Sequence, residues 1–398
     1  MTASSGLEVA HIVRLYGEEF RRTHRLCRAQ LRALGAIEHC RTAALGGHVY
    51  RCDQCGAEKI SYNSCRNRHC PKCQSLDQER WLQKRRDELL PVPYFHVVFT
   101  LPEELNVLAV GNPREIYDLL FRCASETLLT IAADPKHLGA RIGVLAVLHT
   151  WSQTLLLHPH LHCIVTGGGL SLDGQQWVAG SQRFLLPVRV LTRMFRGKFL
   201  AGLKEIHQKG RLRLSGGAEA LGHPVVFQDF LDSLYRKVWM VYSKPPFGSP
   251  EQVLGYLARY THRVALSNRR LVRLEQDQVS FTYKDYRQES QIREMTLSAE
   301  EFLRRFLLHI LPDRFVRIRH YGLLANRRRE KDLEQCRSLL GVESPETEPS
   351  PREDWQSVVL RVTGRDPTLC AECGRGHLRV IQELAPCAEA CLAGRSPP

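Results

Sequence analysis

Apolar residues at Ile12, Leu15, Phe20, Leu26, Leu31 and Leu34 recur at roughly helical spacing among many arginines and predict one or two amphipathic helices over 9–34. Another helix is predicted over 76–90, stopped by Pro91 and Pro93 before an aromatic and β-branched run, 94–101, that reads as the first core strand. Further strands are expected at 142–149 and 160–166, the latter running into Gly167, Gly168 and Gly169, which permit a sharp turn. Helices are predicted over 113–133, 191–208 and 227–242, with a turn-rich piece around Gly216, Gly217 and Pro224 between the last two. Ser249, Pro250 and Glu251 have the chemistry of a helix start and predict a helix through about Thr261. A hairpin (271–274 with 279–283) and a helix over 300–310 follow, then a Pro-, Glu- and Ser-rich linker over 341–354. No internal repeat is visible. Strands and helices thus alternate.

The 398 residues suffice for two or three domains with a buried core, and 43% hydrophobic with 25% charged residues excludes a wholly disordered chain. The longest plainly apolar stretch, 142–148, is too short to cross a bilayer, and residues 1–20 carry acids instead of a basic segment before an apolar core. The expectation is therefore a cytoplasmic protein, away from membranes. Its formal charge of +14 suits a polyanionic partner, because Lys and Arg on a phosphate backbone release condensed counterions.

Fourteen cysteines in a reducing compartment point to metal sites instead of disulfides, and they are clustered. Cys52-x2-Cys55 and Cys70-x2-Cys73 are spaced to hold one structural zinc between two thiolate knuckles. Cys40, His48, Cys65 and His69 stand near enough to substitute or to form a second site. Four protein ligands leave no open position for water, and the flanking Arg66, Arg68, Lys72 and Lys84 suggest a nucleic-acid-facing surface. Near the C-terminus, Cys370-x2-Cys373-Gly374 has the form of a second zinc knuckle, with His377, Cys387 and Cys391 as candidate partners. An unfilled, degenerate knuckle is the alternative.

His160-Leu161-His162 places two imidazoles on one face of a strand, with Leu161 turned to the core. Two neutral imidazoles bind a divalent metal if one further group joins them, and His158, Gln153, His149 and His96 are the candidates. A purely structural or solvent-facing pair is the alternative. Tyr256 and Tyr260 are four apart on a predicted helix and share a face. Packing alone accounts for most such pairs, but beside a metal-polarised phosphate a phenol becomes a nucleophile. Histidine-held metal and tyrosine together point to in-line attack on a phosphodiester, leaving a covalent phosphotyrosine and a free 3′ hydroxyl. Neither GxSxG nor a P-loop is present.

The order of zinc cluster, YFHVVFTLP (94–102), LHTWSQTLLLHPHLHCIVTGGG (148–169), YLARYTHRVALSNRRL (256–271) and RRFLLHILPDRFVRIRHYGLLANRRR (304–329) resembles the two-tyrosine rolling-circle transposases of the insertion-sequence family numbered ninety-one. The resemblance covers almost the whole chain. It implies an α+β fold of the histidine-hydrophobic-histidine (HUH) nuclease type, an antiparallel sheet with backing helices. It also implies an N-terminal zinc-binding, DNA-binding domain (9–90), a catalytic domain (91–340), the linker (341–354) and a C-terminal tail (355–398) carrying the knuckle. The implied activity is nicking and transfer of single-stranded DNA at element ends and target, through His160, His162, Tyr256 and Tyr260, with magnesium or manganese at the active site. A plasmid replication initiator or relaxase shares this chemistry, and a non-catalytic zinc-containing DNA-binding regulator is the reading from another class.

Residues 314–331 contain seven basic residues interleaved with Phe315, His320 and Tyr321, a combination suited to single-stranded DNA if the rings face solvent. The DNA-contact candidates are Arg66, Arg68, Arg259, Arg263, Arg317, Arg319, Arg327 and Arg328. Arg259 and Arg263, flanking the tyrosines, are also placed to neutralise charge on a transferred phosphate.

Overall fold

Strands β1 (Gly47–Cys52) and β2 (Glu58–Tyr62) form a hairpin, preceded by helices α1 (Val9–Thr23) and α2 (Arg28–Glu38) and followed by α3 (Gln74–Arg86). In this computed structural model the described residues are 6–181, 186–244, 252–253, 255–256, 264–286, 288–342 and 354–387, without the side chains of 74–77. The predicted helix at the N-terminus is two helices, α1 burying Val9, Ile12, Val13 and Phe20 on one stripe. The linker and the helix expected after Ser249 lie largely outside the described residues.

The central sheet comprises β3 (Tyr94–Thr100), β4 (Ala140–Trp151), β5 (Leu157–Ser171), β6 (Trp177–Ala179), β7 (Met240–Lys244) and, later in the chain, Ile318–Gly322. Every pairing within it is antiparallel, and Ile318–Gly322 lies outside β4 while β7 lies outside β3. Alternation decides its two faces. Phe95, Val97, Phe99, Val144, Ala146, Leu148, Leu161, Cys163 and Val165 point into the main core, under α5 (Pro113–Ala133) and α6 (Val188–Gln208). The opposite face carries the histidines. α5 starts where expected because Pro113 occupies its first turn, where an amide donor is not needed.

The helix predicted over 227–242 is corrected. α7 (Pro224–Arg236) stops early, and Met240–Lys244 forms an edge strand in which Val241 is buried while Met240, Tyr242 and Lys244 are exposed, a period of two. A three-stranded sheet of β8 (Leu271–Glu275), β9 (Gln278–Asp285) and β10 (Gln291–Ser298) contains the expected hairpin. Its apolar face packs with α8 (Ala299–Leu307) against α1 and α2, giving a second core that includes Phe281, Phe302, Phe306 and Ile12. Ser298 caps α8 by accepting a hydrogen bond from the Glu301 amide at 3.2 Å.

The C-terminal tail packs back onto the N-terminal sheet. After β11 (Ile318–Gly322), α9 (Arg329–Leu339) and α10 (Trp355–Thr363), the strand β12 (Leu378–Leu384) pairs antiparallel with β1. The tail completes the N-terminal sheet in the order β12-β1-β2.

Phe99 tests the main core, being fully buried with its ring 4.9 Å from that of Phe195. Phe99→Ala is expected to lower unfolding stability by about 3–5 kcal/mol in denaturant titration, with Phe99→Leu costing clearly less.

Candidate active site and metal centres

His160 and His162 project from β5 on the face opposite Leu161 and Cys163, and His149 lies directly across from His160 in the β4–β5 register. The three imidazoles converge, with one ring nitrogen of each within 4.8 Å of the others. The Nδ1 of His160 lies 2.6 Å from the His158 carbonyl oxygen, which only accepts, so Nδ1 carries the proton and Nε2 is left as a ligand atom. Trp151 stacks on His149 at a centroid distance of 4.6 Å and limits its swing. Of the four candidates for a third ligand, the structure brings His149 to the pair. Gln153 instead places its side-chain amide 3.5 Å from the Tyr286 hydroxyl.

His96 belongs to the same face but does another job. Its Nε2 is 2.9 Å from Nδ1 of His162 and 2.6 Å from the Tyr256 hydroxyl, which is itself 3.3 Å from that His162 nitrogen. Burial, then the neighbouring Lys244 and His160, pushes His96 down to about 3, so the ring is neutral. Tyr256 is buried among Leu145, Val147, Ile164 and Val253, which seats its ring on the sheet beside the histidines. Three imidazole nitrogens suit a divalent transition metal, manganese better than magnesium, which prefers oxygen ligands. Tyr260, Arg259 and Arg263 lie outside the described residues.

The single zinc expected from Cys52, Cys55, Cys70 and Cys73 is corrected to two clusters. Cys70 and Cys73 gather with Cys40 and Cys65, while Cys52 and Cys55 gather with Cys370 and Cys373. The reason is the β1–β2 hairpin filling the interval. Cys52 and Cys55 sit at its turn, whereas Cys40 and Cys65–Cys73 sit at its base, roughly 17 Å away at ~3.3 Å per residue along β1. In the basal cluster the Sγ atoms of Cys40, Cys65 and Cys70 approach their neighbours at 3.5–3.7 Å. A tetrahedron with Zn–S of ~2.3 Å has edges of about 3.8 Å, so the donors fit zinc. The Cys73 thiol is held far below its ordinary value because Cys40, Cys65 and Cys70 all donate hydrogen bonds to its thiolate. His48 and His69 are not part of either cluster.

Residues 12–101 match the family described as "Transposase zinc-binding domain", and residues 143–331 match the one described as "Putative transposase". The chain is 54% identical over 383 residues, 96% of each chain, to "Putative transposase y4qJ" of Sinorhizobium fredii. This chain belongs to the transposases of the insertion-sequence family numbered ninety-one. A second relative, "Transposase for insertion sequence element IS801" of Pseudomonas savastanoi pv. phaseolicola, is 28% identical over 351 residues, 84% of this transposase and 79% of that protein. Among solved structures, "Conjugative Relaxase TrwC in complex with mutant OriT Dna" is similar at 14% identity and a TM-score of 0.22, covering 40% of this transposase and 70% of that chain. That similarity is too loose to carry an inference. No helix among the described residues of this transposase is long and apolar enough to cross a membrane.

The basic segment of the transposase is divided between internal contacts and the surface. Arg68 donates to the carbonyls of Phe315 at 2.6 Å and Pro312 at 3.0 Å. Arg319 pairs with Asp118 and lies over the Phe121 ring at 4.2 Å, and Arg328 is 3.7 Å from Asp332. Burial and the nearby Arg68 push Arg317 down to about 10. The outward aromatic surface expected over 314–331 is therefore corrected: Phe315 is buried in the core and His320 sits 2.9 Å from Arg85. Arg66, Arg327 and Arg328 remain exposed, as do Arg314 and Lys331 of the segment. The contact between His96 and Tyr256 joins residues 160 positions apart, and the only sequence signal for it was a polar residue inside an apolar strand.

His149→Ala is expected to weaken manganese binding at the histidine centre by roughly tenfold or more, whereas Gln153→Ala leaves it unchanged. Manganese titration followed by electron paramagnetic resonance checks this, and equal losses in both variants would remove His149 from the ligand set.

Proposed function

We propose that this transposase nicks and transfers single-stranded DNA through a covalent 5′-phosphotyrosine, with Tyr256 as a nucleophile in rolling-circle-type transposition. The observation that carries the reading is the Tyr256 hydroxyl at 2.6 Å from a neutral His96 nitrogen, beside three convergent imidazoles. His149, His160 and His162 would hold a divalent metal, which would supply a Lewis acid for the scissile phosphate. His96 accepts the phenol proton as the Tyr256 oxygen bonds to phosphorus. The P–O3′ bond breaks, and the leaving 3′ oxygen takes a proton from solvent. Because the phosphotyrosine keeps the ester bond energy, attack by another 3′ hydroxyl joins strands without ATP. Tyr260, four residues on, supplies a second phenol for a successive event.

Neutral imidazoles and a phenol bring little charge of their own, so the metal they would hold is the main cation at the reacting phosphorus. The cationic residues that follow the DNA backbone in this reading are the exposed Arg66 and Arg327, with Arg259 and Arg263 beside the tyrosines. A non-catalytic regulator needs none of the His96–Tyr256 geometry.

Incubation of the protein with single-stranded DNA spanning its element's ends, with manganese, is expected to give a denaturation-resistant protein–DNA adduct. Tyr256→Phe removes the adduct at Tyr256, and the double change with Tyr260→Phe removes all of it. His160→Ala is expected to reduce adduct formation at least about a hundredfold, and His96→Ala about tenfold or more. Tight DNA binding by zinc-loaded protein without any adduct would replace this reading with the regulator.

A further inference from the structure

The hairpin turn and the C-terminal tail each carry the same short device. Cys52-x2-Cys55 is followed by Gly56 at φ +71°, and Cys370-x2-Cys373 by Gly374 at φ +65°. In each, the glycine amide bonds back to the first cysteine's carbonyl, at 3.1 Å and 2.9 Å. A positive φ is what glycine supplies at little cost, so both loops fold into matching knuckles. Amides also point at sulfur. Those of Gln54 and Cys55 lie 3.4 and 3.5 Å from the Cys52 Sγ, and that of Gly376 lies 3.4 Å from the Cys373 Sγ. Such contacts favour thiolates.

The two knuckles face one another. Cys52 Sγ is 3.7 Å from Cys373 Sγ, and Cys55 Sγ is 3.8 Å from Cys370 Sγ. These match the edge of about 3.8 Å of a tetrahedral zinc–thiolate site and far exceed a disulfide bond of ~2.05 Å. Approach is as close as the backbone allows: a Cβ on Gly376 would lie 2.4 Å from the Cys52 Sγ. Around the cluster, the Asp53 amide donates to the His377 carbonyl at 3.1 Å and the His377 amide to the Asp53 carboxylate at 2.8 Å. The His377 ring is outside the ligand set, its Nδ1 lying 3.0 Å from the Thr368 hydroxyl.

We infer that Cys52, Cys55, Cys370 and Cys373 bind a second structural zinc that clasps the C-terminal segment to the N-terminal zinc-binding domain. The ligands come from opposite ends of the chain, and Cys370 and Cys373 lie far beyond residues 12–101, the extent of the zinc-binding family match. The clasp has a structural task. An isolated two-stranded hairpin is marginal in water, and β2 is exposed at all five of its positions. Pairing of β12 along Gly47–Cys52 makes β1 a central strand, and the zinc pins that pairing at one end. At the other end the tail passes over Gly46 so closely that a Cβ there would lie 2.4 Å from the Leu384 carbonyl oxygen. The proposal is independent of the tyrosine chemistry.

Zinc counting by native mass spectrometry on the full chain is the test. Wild type is expected to hold two zinc ions per chain, Cys370→Ser and Cys373→Ser one each, and Cys65→Ser one from the other cluster. In Cys370→Ser, amide exchange over 47–62 is expected to speed up at least about tenfold while 94–100 stays protected. A protease site built into 343–353 of the otherwise wild-type chain covers the case of a serine variant that does not fold. After cutting, the C-terminal fragment is expected to stay bound until a chelator is added. One zinc in the wild-type chain, release of the fragment with zinc still present, or retention after all zinc is removed would each overturn the clasp.

Discussion

Everything at the histidine centre of this transposase depends on the antiparallel register of three strands. Pairing of His149 with His160 across β4 and β5, and of Val98 with His162 across β3 and β5, fixes where four imidazoles stand before any side chain chooses a rotamer. A slip of one residue would turn His160 and His162 into the core and Leu161 out, at the cost of burying two polar rings and exposing an apolar one. Phe95, Val97, Phe99, Leu161, Cys163 and Val165 therefore act on the chemistry from the far side of the sheet. Their burial selects the register, and the register assembles the site.

Local patterns made much of this legible. His160-Leu161-His162 announced its two faces because a strand has a period of two, and α5 was marked by its proline and its apolar stripe. What stayed hidden were pairings between distant segments. Four plausible third ligands lay within reach in sequence, and only the β4–β5 register selects His149. Cys52-x2-Cys55 and Cys70-x2-Cys73 looked like partners because spacing reports how far a chain can reach, not which way a hairpin carries it. No strand was expected over 378–384, and pairing with a partner more than 300 residues upstream leaves no trace in local pattern. The reading of the basic segment failed for a related reason. Phe315 sits among arginines as a stacking ring would, yet it is buried in the core, and Arg319 is laid over Phe121.

Internal use of arginine also changes what the net charge of +14 means. Arg68, Arg85, Arg319 and Arg329 each meet carbonyls or carboxylates of the protein itself. A guanidinium half-buried against two carbonyls keeps its charge by replacing water with fixed dipoles, and it gives up most of its reach toward an external phosphate. Attraction for DNA then comes from the whole field of the molecule and from a smaller set of exposed cations.

The basal cysteine cluster has a direct structural route to the histidines. Arg68 and His69 lie between Cys65 and Cys70, so a zinc held there fixes the loop that carries them. Arg68 grips the Pro312 and Phe315 carbonyls, and two residues later the Arg317 carbonyl accepts the Leu148 amide at 2.9 Å, next to His149. His69, Leu148, Thr150, His309 and Arg317 line a tight seam along this path. Burial, with Arg68 and Arg317 beside it, pushes His69 down to about 3, so the seam gains no further charge. His309 ties the same region by bonding Thr150 on one ring nitrogen and the Leu155 carbonyl on the other. A ligand atom has to be held to within a fraction of an ångström, and a β-strand near a bulge does not do that unaided. A zinc held by the basal cysteines would thus be connected, through two carbonyls and one backbone hydrogen bond, to the strand that carries His149, one of the three converging imidazoles.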